Sequence, residues 1–168
     1  MFSLLMAIIL LASAQPAPVA PVIDMEPAVS ADGSLAFASN RSGGFDIFTV
    51  DAEGGGIRQI TEGGGKDTPA WSPDGALLAF SWDRNGDADL FVVPREGGAP
   101  VQITGGSGSD LHPFFSPDGR QIVFTRYESE RLFVMIVDAE GGAPRRLTAG
   151  ANASYGSLSP DGLSLLYW

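Results

Sequence analysis

Residues 69–93, PAWSPDGALLAFSWDRNGDADLFVV, decide the fold because they contain three apolar strands separated by two turns. In the first turn, SPDG at residues 72–75, proline presets φ and glycine accepts the positive φ that closes the turn. The second turn contains Asn85-Gly86, a dipeptide typical of β-hairpins. The two later strands are apolar on consecutive residues, which predicts strands that are covered on both faces.

The first turn recurs four times along the chain, in steps of 42 to 44 residues. We predict a structural role for its residues, since a catalytic residue would be needed only once. They are Ser30, Asp32, Gly33, Ser72, Pro73, Asp74, Gly75, Ser116, Pro117, Asp118, Gly119, Ser159, Pro160, Asp161 and Gly162. We expect a positive φ at Gly75 and Gly119, but not at Gly63, which lies outside these turns.

Each repeat predicts four strands, and four-stranded units with a period of about 40–45 residues are typical of a β-propeller. The sequence therefore predicts an all-β fold, an incomplete propeller arc of three four-stranded blades plus half of a fourth. The blades are predicted at about residues 25–66, 67–109, 110–150 and, for the partial blade, 151–168. The fourth strand of each blade alternates polar and apolar residues, which predicts an outer edge strand. An aromatic residue follows each turn and is expected at the same height in every layer between blades: Phe37, Phe80, Phe124 and Tyr167.

The amino terminus has the pattern of a secretory signal peptide. Residues 2–14, FSLLMAIILLASA, are nearly all apolar but fall short of the roughly 20 residues that span a bilayer. They end in Ala-Ser-Ala, which favours cleavage after Ala14. We predict a signal peptide at residues 1–14, a proline-rich linker at 15–24 and a mature protein that is periplasmic or secreted.

Composition restricts the possible partners and chemistry. The net charge of −10 disfavours nucleic acid and anionic membrane surfaces, because both are bound by basic faces. The sequence has no cysteine, which excludes disulfides, thiolate metal sites and cysteine nucleophiles. A content of 22 Gly and 12 Pro matches frequent tight turns, and 44% hydrophobic residues suffice for a folded core.

The sequence contains two candidate chemical sites, and a structural role explains each of them better than a chemical one. His112, the only histidine, lies near Asp110, but its repeat counterpart is Thr68, so we expect a loop residue at the mouth of a strand. Residues 83–89, DRNGDAD, alternate oxygen ligands, yet Ala88 and Pro94 occupy the positions where a calcium loop needs Gly and Glu. A hairpin turn explains that segment. We predict no catalytic, cofactor-binding or metal-binding residues and no cofactor.

The stretch at residues 69–93 and the stretch HPFFSPDGRQIVFTR at 112–126 are each followed by GGAP and a hydrophobic-Thr pair. They resemble the TolB-type, WD-like β-propeller repeat family, over roughly residues 25–168. The resemblance implies a periplasmic or secreted propeller that binds other proteins. The same repeats also resemble the propeller domains that gate prolyl-oligopeptidase-type and tricorn-type serine peptidases.

Two functional hypotheses follow from this resemblance. The first is an exported, non-catalytic propeller that serves as a protein-interaction scaffold in the periplasm or cell envelope. The alternative is the amino-terminal gating or substrate-selection domain of a serine peptidase whose catalytic domain lies beyond Trp168. TolB itself carries an α/β domain before its propeller, so we expect a different protein here, and a fragment of a longer one. The expected partners are proteins, with self-association through open blade faces and without nucleic acid or membrane insertion after cleavage.

Overall fold

The computed structural model of the protein describes residues 20–150 and 152–168. The predicted signal peptide, residues 1–14, lies outside the described residues. Within the described ranges the elements are strands: β1 (Asp24–Val29), β2 (Leu35–Ser39), β3 (Asp46–Val50), β4 (Arg58–Gln59), β5 (Lys66–Trp71), β6 (Leu77–Asp83), β7 (Ala88–Pro94), β8 (Val101–Gln102), β9 (Ser109–Phe115), β10 (Gln121–Glu128), β11 (Arg131–Asp138), β12 (Arg145–Arg146), β13 (Ser157–Leu158) and β14 (Leu165–Leu166). No helix in that part of the chain has the length and apolarity to cross a membrane.

The strands form antiparallel sheets in sequence order. Blade one is β1-β2-β3-β4, blade two is β5-β6-β7-β8, blade three is β9-β10-β11-β12, and β13-β14 make a half-blade. The sheets do not close into a ring, so the all-β, incomplete propeller predicted from the repeats is confirmed. Blades one to three begin at Asp24, Lys66 and Ser109, each one residue before its predicted boundary.

The outer strands β4, β8 and β12 are exposed edges of two residues each. They stop before the recurring hydrophobic-Thr pair, because the threonine serves as a side-chain acceptor for the neighbouring strand. Thr61 Oγ1 accepts the backbone N–H of Ile47 at 2.9 Å, and Thr104 Oγ1 accepts that of Leu90 at 2.9 Å. The hydrophobic-Thr pair recurs because the threonine hydroxyl accepts the N–H that a backbone carbonyl of a longer edge strand would otherwise accept.

The core lies in layers between successive blades. In β6, Leu78 and Phe80 face blade one whereas Ala79 faces blade three, and all three are fully buried. This alternation explains why the strand is apolar on consecutive residues, since each face packs against another sheet.

The four recurring aromatic residues differ in burial. Phe80 and Phe124 are fully buried between blades. Phe37 is only half-buried, because its face of blade one has no neighbouring blade among the described residues. Tyr167 is 51% exposed. Burial at this position of the repeat therefore needs a neighbouring blade, which Phe37 lacks in the described part of the chain, and a complete strand, since Tyr167 follows the end of β14 at Leu166.

The repeated turns share one hydrogen-bond pattern. Ser72 Oγ donates to Asp74 Oδ1 at 2.6 Å and accepts the N–H of Leu77 at 2.9 Å, while Asp74 Oδ1 accepts the N–H of Ala76 at 3.1 Å. The later copies, which start at Ser116 and Ser159, repeat these contacts. The closing glycines have positive φ, as expected: Gly33, Gly75, Gly119 and Gly162. The expectation for Gly63 is wrong, because its φ is +95°.

Candidate functional site

The first strands of the blades, β1, β5 and β9, contact one another in order and lie nearest the axis of the arc. Each is interrupted by a β-bulge, where the register to its partner strand shifts. The bulges hold Glu26, Thr68 and His112 at φ values of 50°, 49° and 53°, and Tyr155 has a φ of 53° before β13. Residues other than glycine rarely adopt this conformation, and sites that impose it are enriched in functional roles.

The residue after each bulge is suited to that geometry. A proline follows the positive-φ residue in blades one to three: Pro27, Pro69 and Pro113. Proline is tolerated at a bulge because its missing N–H is not needed there for hydrogen bonding between the strands. In the half-blade the equivalent residue is Gly156, where a side chain would overlap Val134 of blade three. The residue before this position thus has a positive φ in all four units, while its side chain differs from unit to unit.

These side chains converge on one pocket of about 200 Å³, which we call the channel pocket. Its lining residues are Glu26, Pro27, Thr68, Pro69, His112, Pro113, Phe114, Tyr155, Gly156 and Ser157. The pocket therefore combines a carboxylate, an imidazole, hydroxyl groups and aromatic rings on a rigid sheet framework. Apolar walls with a few convergent polar groups are typical of binding sites.

His112 corrects the expectation of a loop residue, because it lies inside β9 at the bulge. Its ring lies against that of Tyr155, with centroids 4.1 Å apart and ring planes tilted by 36°, and its Nδ1 is buried without a hydrogen-bond partner. Burial lowers the pKa of His112, although the nearby carboxylates of Glu26 and Asp67 oppose this effect. The imidazole is therefore neutral at neutral pH.

Asp110 does not act with His112. It is fully buried and forms a two-pronged ion pair with Arg126, at 2.7 Å to Nε and 2.8 Å to an amino nitrogen. Both carboxylate oxygens of Asp110 accept from this guanidinium. Asp110 and His112, which lie close in sequence, therefore have separate roles: Asp110 forms a structural ion pair, and His112 lines the pocket.

Asp67 precedes Thr68, a lining residue of the channel pocket, and Thr68 Oγ1 donates to Asp67 Oδ1 at 3.3 Å. Burial raises the pKa of its carboxyl group, and the negative charges of Glu26 and Asp83 add to the rise. The hydrogen bond from Thr68, and the positive charge that His112 carries when it is protonated, oppose it. A partly buried carboxylate without a full set of donors is stabilised by any cation that approaches it.

The segment at residues 83–89 forms the hairpin between β6 and β7. Asp83 Oδ1 accepts the N–H of Gly86 at 2.7 Å, so this carboxylate is used to hold the turn. In the described parts of the chain, no group of three or more His, Asp or Glu side chains is placed to hold a metal ion.

The repeated turns line a second cavity, of about 310 Å³, which shares Phe114 with the channel pocket. Trp71 and Phe115 contribute aromatic surface to it, and the turn residues that line it are Ser30, Ser72, Pro73, Pro117 and Pro160. Turn residues therefore line cavities that are separate from the channel pocket, which the residues at the bulges form. Sequence patterns pointed to the turns but not to the bulges, although the recurring X-Pro dipeptides 26–27, 68–69 and 112–113 are the signal that locates them.

Comparison with known proteins agrees with this architecture. A family model described as TolB beta propeller domain matches residues 9–168. No curated protein matches the chain. Among solved structures, the chain is similar to a protein assigned as TolB from Agrobacterium tumefaciens, with a TM-score of 0.78, 26% identity, and coverage of 84% of this chain and 52% of that one. It is similar to TolB from Acinetobacter baumannii with a TM-score of 0.76, 27% identity, and coverage of 88% and 37% respectively.

A third similar structure shows the fold alone. The β-propeller domain of the Trilobed protease from Pyrococcus furiosus gives a TM-score of 0.62 at 15% identity, with coverage of 80% of this chain and 45% of that one. The chain thus spans about half the length of the Agrobacterium tumefaciens structure, and less of the Acinetobacter baumannii one.

Proposed function

The chain belongs to the TolB β-propeller family, and from this membership we propose that it is an exported, non-catalytic propeller that binds protein partners in the periplasm or cell envelope. We further assign partner binding to the channel pocket. The repeated turn residues are proposed to have a structural role only.

One observation carries the assignment. The three bulge positions and the position before β13 all have a φ near +50°, yet they carry different side chains: Glu26, Thr68, His112 and Tyr155. A position needed only for folding would favour glycine, which adopts positive φ without strain. Four different side chains on adjacent rigid sheets, which all line one pocket, are instead suited to recognising a specific partner surface.

Export is supported by the sequence of residues 1–14. The test is to express the full chain in the organism that encodes it, fractionate the cells and sequence the amino terminus of the protein. We expect the protein in the envelope or periplasmic fraction, beginning at Gln15. A cytoplasmic protein that retains Met1 would overturn the export proposal.

Partner binding is tested by site-specific photo-crosslinking in cells. A photoreactive phenylalanine analogue replaces Tyr155, which is 55% exposed in the channel pocket, or Ile57, which is 53% exposed outside it. We expect a discrete set of envelope proteins that crosslink at position 155 and not at 57. Identical crosslinks at both positions, or none at 155, would contradict the assignment.

The peptidase-propeller alternative receives no specific support from the pocket, because the likeness to the Pyrococcus furiosus domain is one of fold. Sequencing the gene beyond the codon for Trp168 distinguishes the two, because the alternative places its catalytic domain there. We expect further propeller repeats, and a Gly-x-Ser-x-Gly nucleophile elbow followed by a later histidine would favour the alternative.

A further inference from the structure

We propose that the channel pocket receives a cationic side chain, lysine or arginine, from the protein partner. This inference rests on the proposed function, since it names the partner chemistry of the same site. It is carried by the charges, the aromatic surfaces and the shape of the pocket.

The charge of the pocket is negative. Glu26 is an exposed carboxylate on its wall, and the half-buried Asp67 adjoins the lining residue Thr68, whose hydroxyl donates to it at 3.3 Å. The ten lining residues include no lysine or arginine. Lys66, the only lysine in the sequence, is buried and paired with Asp46, so it does not neutralise the pocket. A docked cation would therefore meet the Glu26 carboxylate, and no lysine or arginine lines the pocket to repel it.

The aromatic surfaces of the pocket also suit a cation. Tyr155 is 55% exposed and Phe114 is 44% exposed, and both line the cavity. An ammonium or guanidinium group is attracted to the face of such rings. Tyr155 is held in place because its backbone N–H donates to Thr125 Oγ1 at 2.9 Å and its ring lies against that of His112.

The apolar part of the pocket matches the stem of a long basic side chain. The rings of Pro27, Pro69 and Pro113 line it in succession, and they offer hydrocarbon surface without hydrogen-bond donors. Lysine and arginine bury their methylene stems on apolar surfaces while the charged tip reaches polar groups. An organic cation fits this pocket better than a metal ion, because metal binding requires several converging oxygen or nitrogen ligands.

The test uses His112 as a reporter, since it is the only histidine and its imidazole proton signals are resolved by NMR. N-acetyl-lysine amide is titrated into the full mature protein at constant ionic strength, with N-acetyl-norleucine amide as the neutral match. We expect saturable shifts of the His112 signals with the lysine probe, and shifts at least several-fold smaller at the same concentration of the norleucine probe. Equal shifts with both probes would overturn the proposal.

Two variants identify the carboxylate. Glu26→Gln should weaken binding of the lysine probe by about twofold to fivefold, the range expected for an ion pair on the wall of an open pocket. Glu53→Gln, which removes an exposed carboxylate in the turn after β3, should leave binding unchanged. An equal effect of the two variants, or a His112 shift with calcium chloride but not with the lysine probe, would overturn the proposal.

The crosslinking experiment separates this inference from the proposed function. If position 155 captures a partner but the lysine and norleucine probes behave alike, partner binding stands and the cationic specificity fails. If position 155 captures nothing while the lysine probe binds selectively, the pocket recognises cations and the proposed partner function fails.

Discussion

The Nζ of Lys66 lies 3.2 Å from Oδ1 of Asp46, with only 1% and 3% of the two side chains exposed. Lys66 begins β5 and Asp46 begins β3, so the ion pair joins blade two to blade one. The ammonium also donates to the carbonyl oxygens of Glu62 and Gly64, at 2.8 Å each. Asp46 accepts from Thr61 Oγ1 at 3.1 Å. The pair is therefore fully hydrogen-bonded, which a buried ion pair requires.

Replacing Lys66 should reveal the free-energy cost of burying the Asp46 carboxylate alone. We expect Lys66→Met to destabilise the protein by about 3–5 kcal/mol, because Asp46 would remain buried without its cation. Urea denaturation of the purified protein measures the change. The matched control is Arg58→Met, since the Arg58–Glu96 pair also joins blades one and two but its side chains are 52% and 73% exposed. That control should cost about 1 kcal/mol or less. Equal costs for the two variants would contradict the buried-pair argument.

The repeat spacing was enough to predict the sheets, because a turn of fixed sequence every 42 to 44 residues sets where strands begin and which face each residue occupies. It could not predict the ion pairs. Asp24, Lys66 and Asp110 occupy the same position in their blades, yet Asp24 pairs with Arg41 and Asp110 with Arg126 inside their own blades. Lys66 pairs across the blade interface instead, which depends on how two sheets pack.

The channel pocket could not be predicted from the sequence patterns either. Positive φ is ordinarily inferred from glycine, and Glu26, Thr68 and His112 give no such signal. The hairpin between β10 and β11 shows the same limit, since Ser129 and Glu130 both adopt positive φ in a two-residue turn without glycine. The tertiary structure imposes these conformations, so composition alone does not reveal them.

The repeated turn gives a second prediction. Ser72→Ala should destabilise the protein by about 1–3 kcal/mol, because the buried N–H of Leu77 loses its acceptor. Hydrogen bonds from Ser72 and from the Ala76 N–H lower the pKa of Asp74, so this pKa should rise toward its ordinary value in the variant. Urea denaturation and NMR titration of the Asp74 carboxyl group measure the two effects.

The control for that experiment is Ser107→Ala. Ser107 is exposed, and its hydroxyl donates to Glu128 at 2.9 Å on the surface. We expect a change in the free energy of unfolding of about 0.5 kcal/mol or less. A Ser72 variant as stable as this control would show that the turn hydroxyl is dispensable.

Gly156 supplies a third prediction. A methyl group at this position would overlap the side chain of Val134 and press on Val123, both fully buried in blade three. Gly156→Ala should therefore cost about 1–3 kcal/mol through overpacking. Gly56→Ala is the matched control, because a methyl group there meets open space and its φ is not positive. Similar melting temperatures for the two variants would mean that the half-blade shifts to accommodate the added group.

The half-blade leads to a fourth prediction, about self-association. Leu165 packs toward blade three, so alternation places Leu166 on the opposite face, where it is 72% exposed beside Trp168 at 83%. We expect the purified mature chain to form oligomers through this apolar surface. Leu166→Lys should weaken association about tenfold or more, since burial of a leucine contributes about 1.5–3 kcal/mol.

Sedimentation velocity over a range of protein concentrations measures this association. Ile57→Lys is the control, because Ile57 is 53% exposed near the outer edge of blade one. Its association should match that of the unmodified protein. A wild-type chain that stays monomeric, or an equal loss of association in both variants, would refute the prediction.

The last prediction concerns acidification. Burial lowers the pKa of His112 in the folded protein, so the unfolded chain, with an ordinary histidine pKa of about 6.5, binds a proton more readily. The free energy of unfolding should therefore decrease as the pH falls from 7.5 through 6.5 toward the folded pKa. Asp67 changes the free energy of unfolding in the opposite direction and at lower pH. Its pKa is raised in the folded state, so the folded protein binds a proton there more readily than the unfolded chain, and acidification through this group favours folding.

His112→Asn isolates the histidine contribution, since the sequence has no other histidine and asparagine tolerates positive φ. Urea denaturation at pH 7.5, 6.5 and 5.5 should show a loss of stability in the unmodified protein that is absent from the variant. NMR titration of the imidazole gives the pKa directly and should place it below its ordinary value. An imidazole pKa at or above that value, or a pH dependence that persists in His112→Asn, would show that the ring is better solvated than its contacts with Tyr155 and the channel pocket imply.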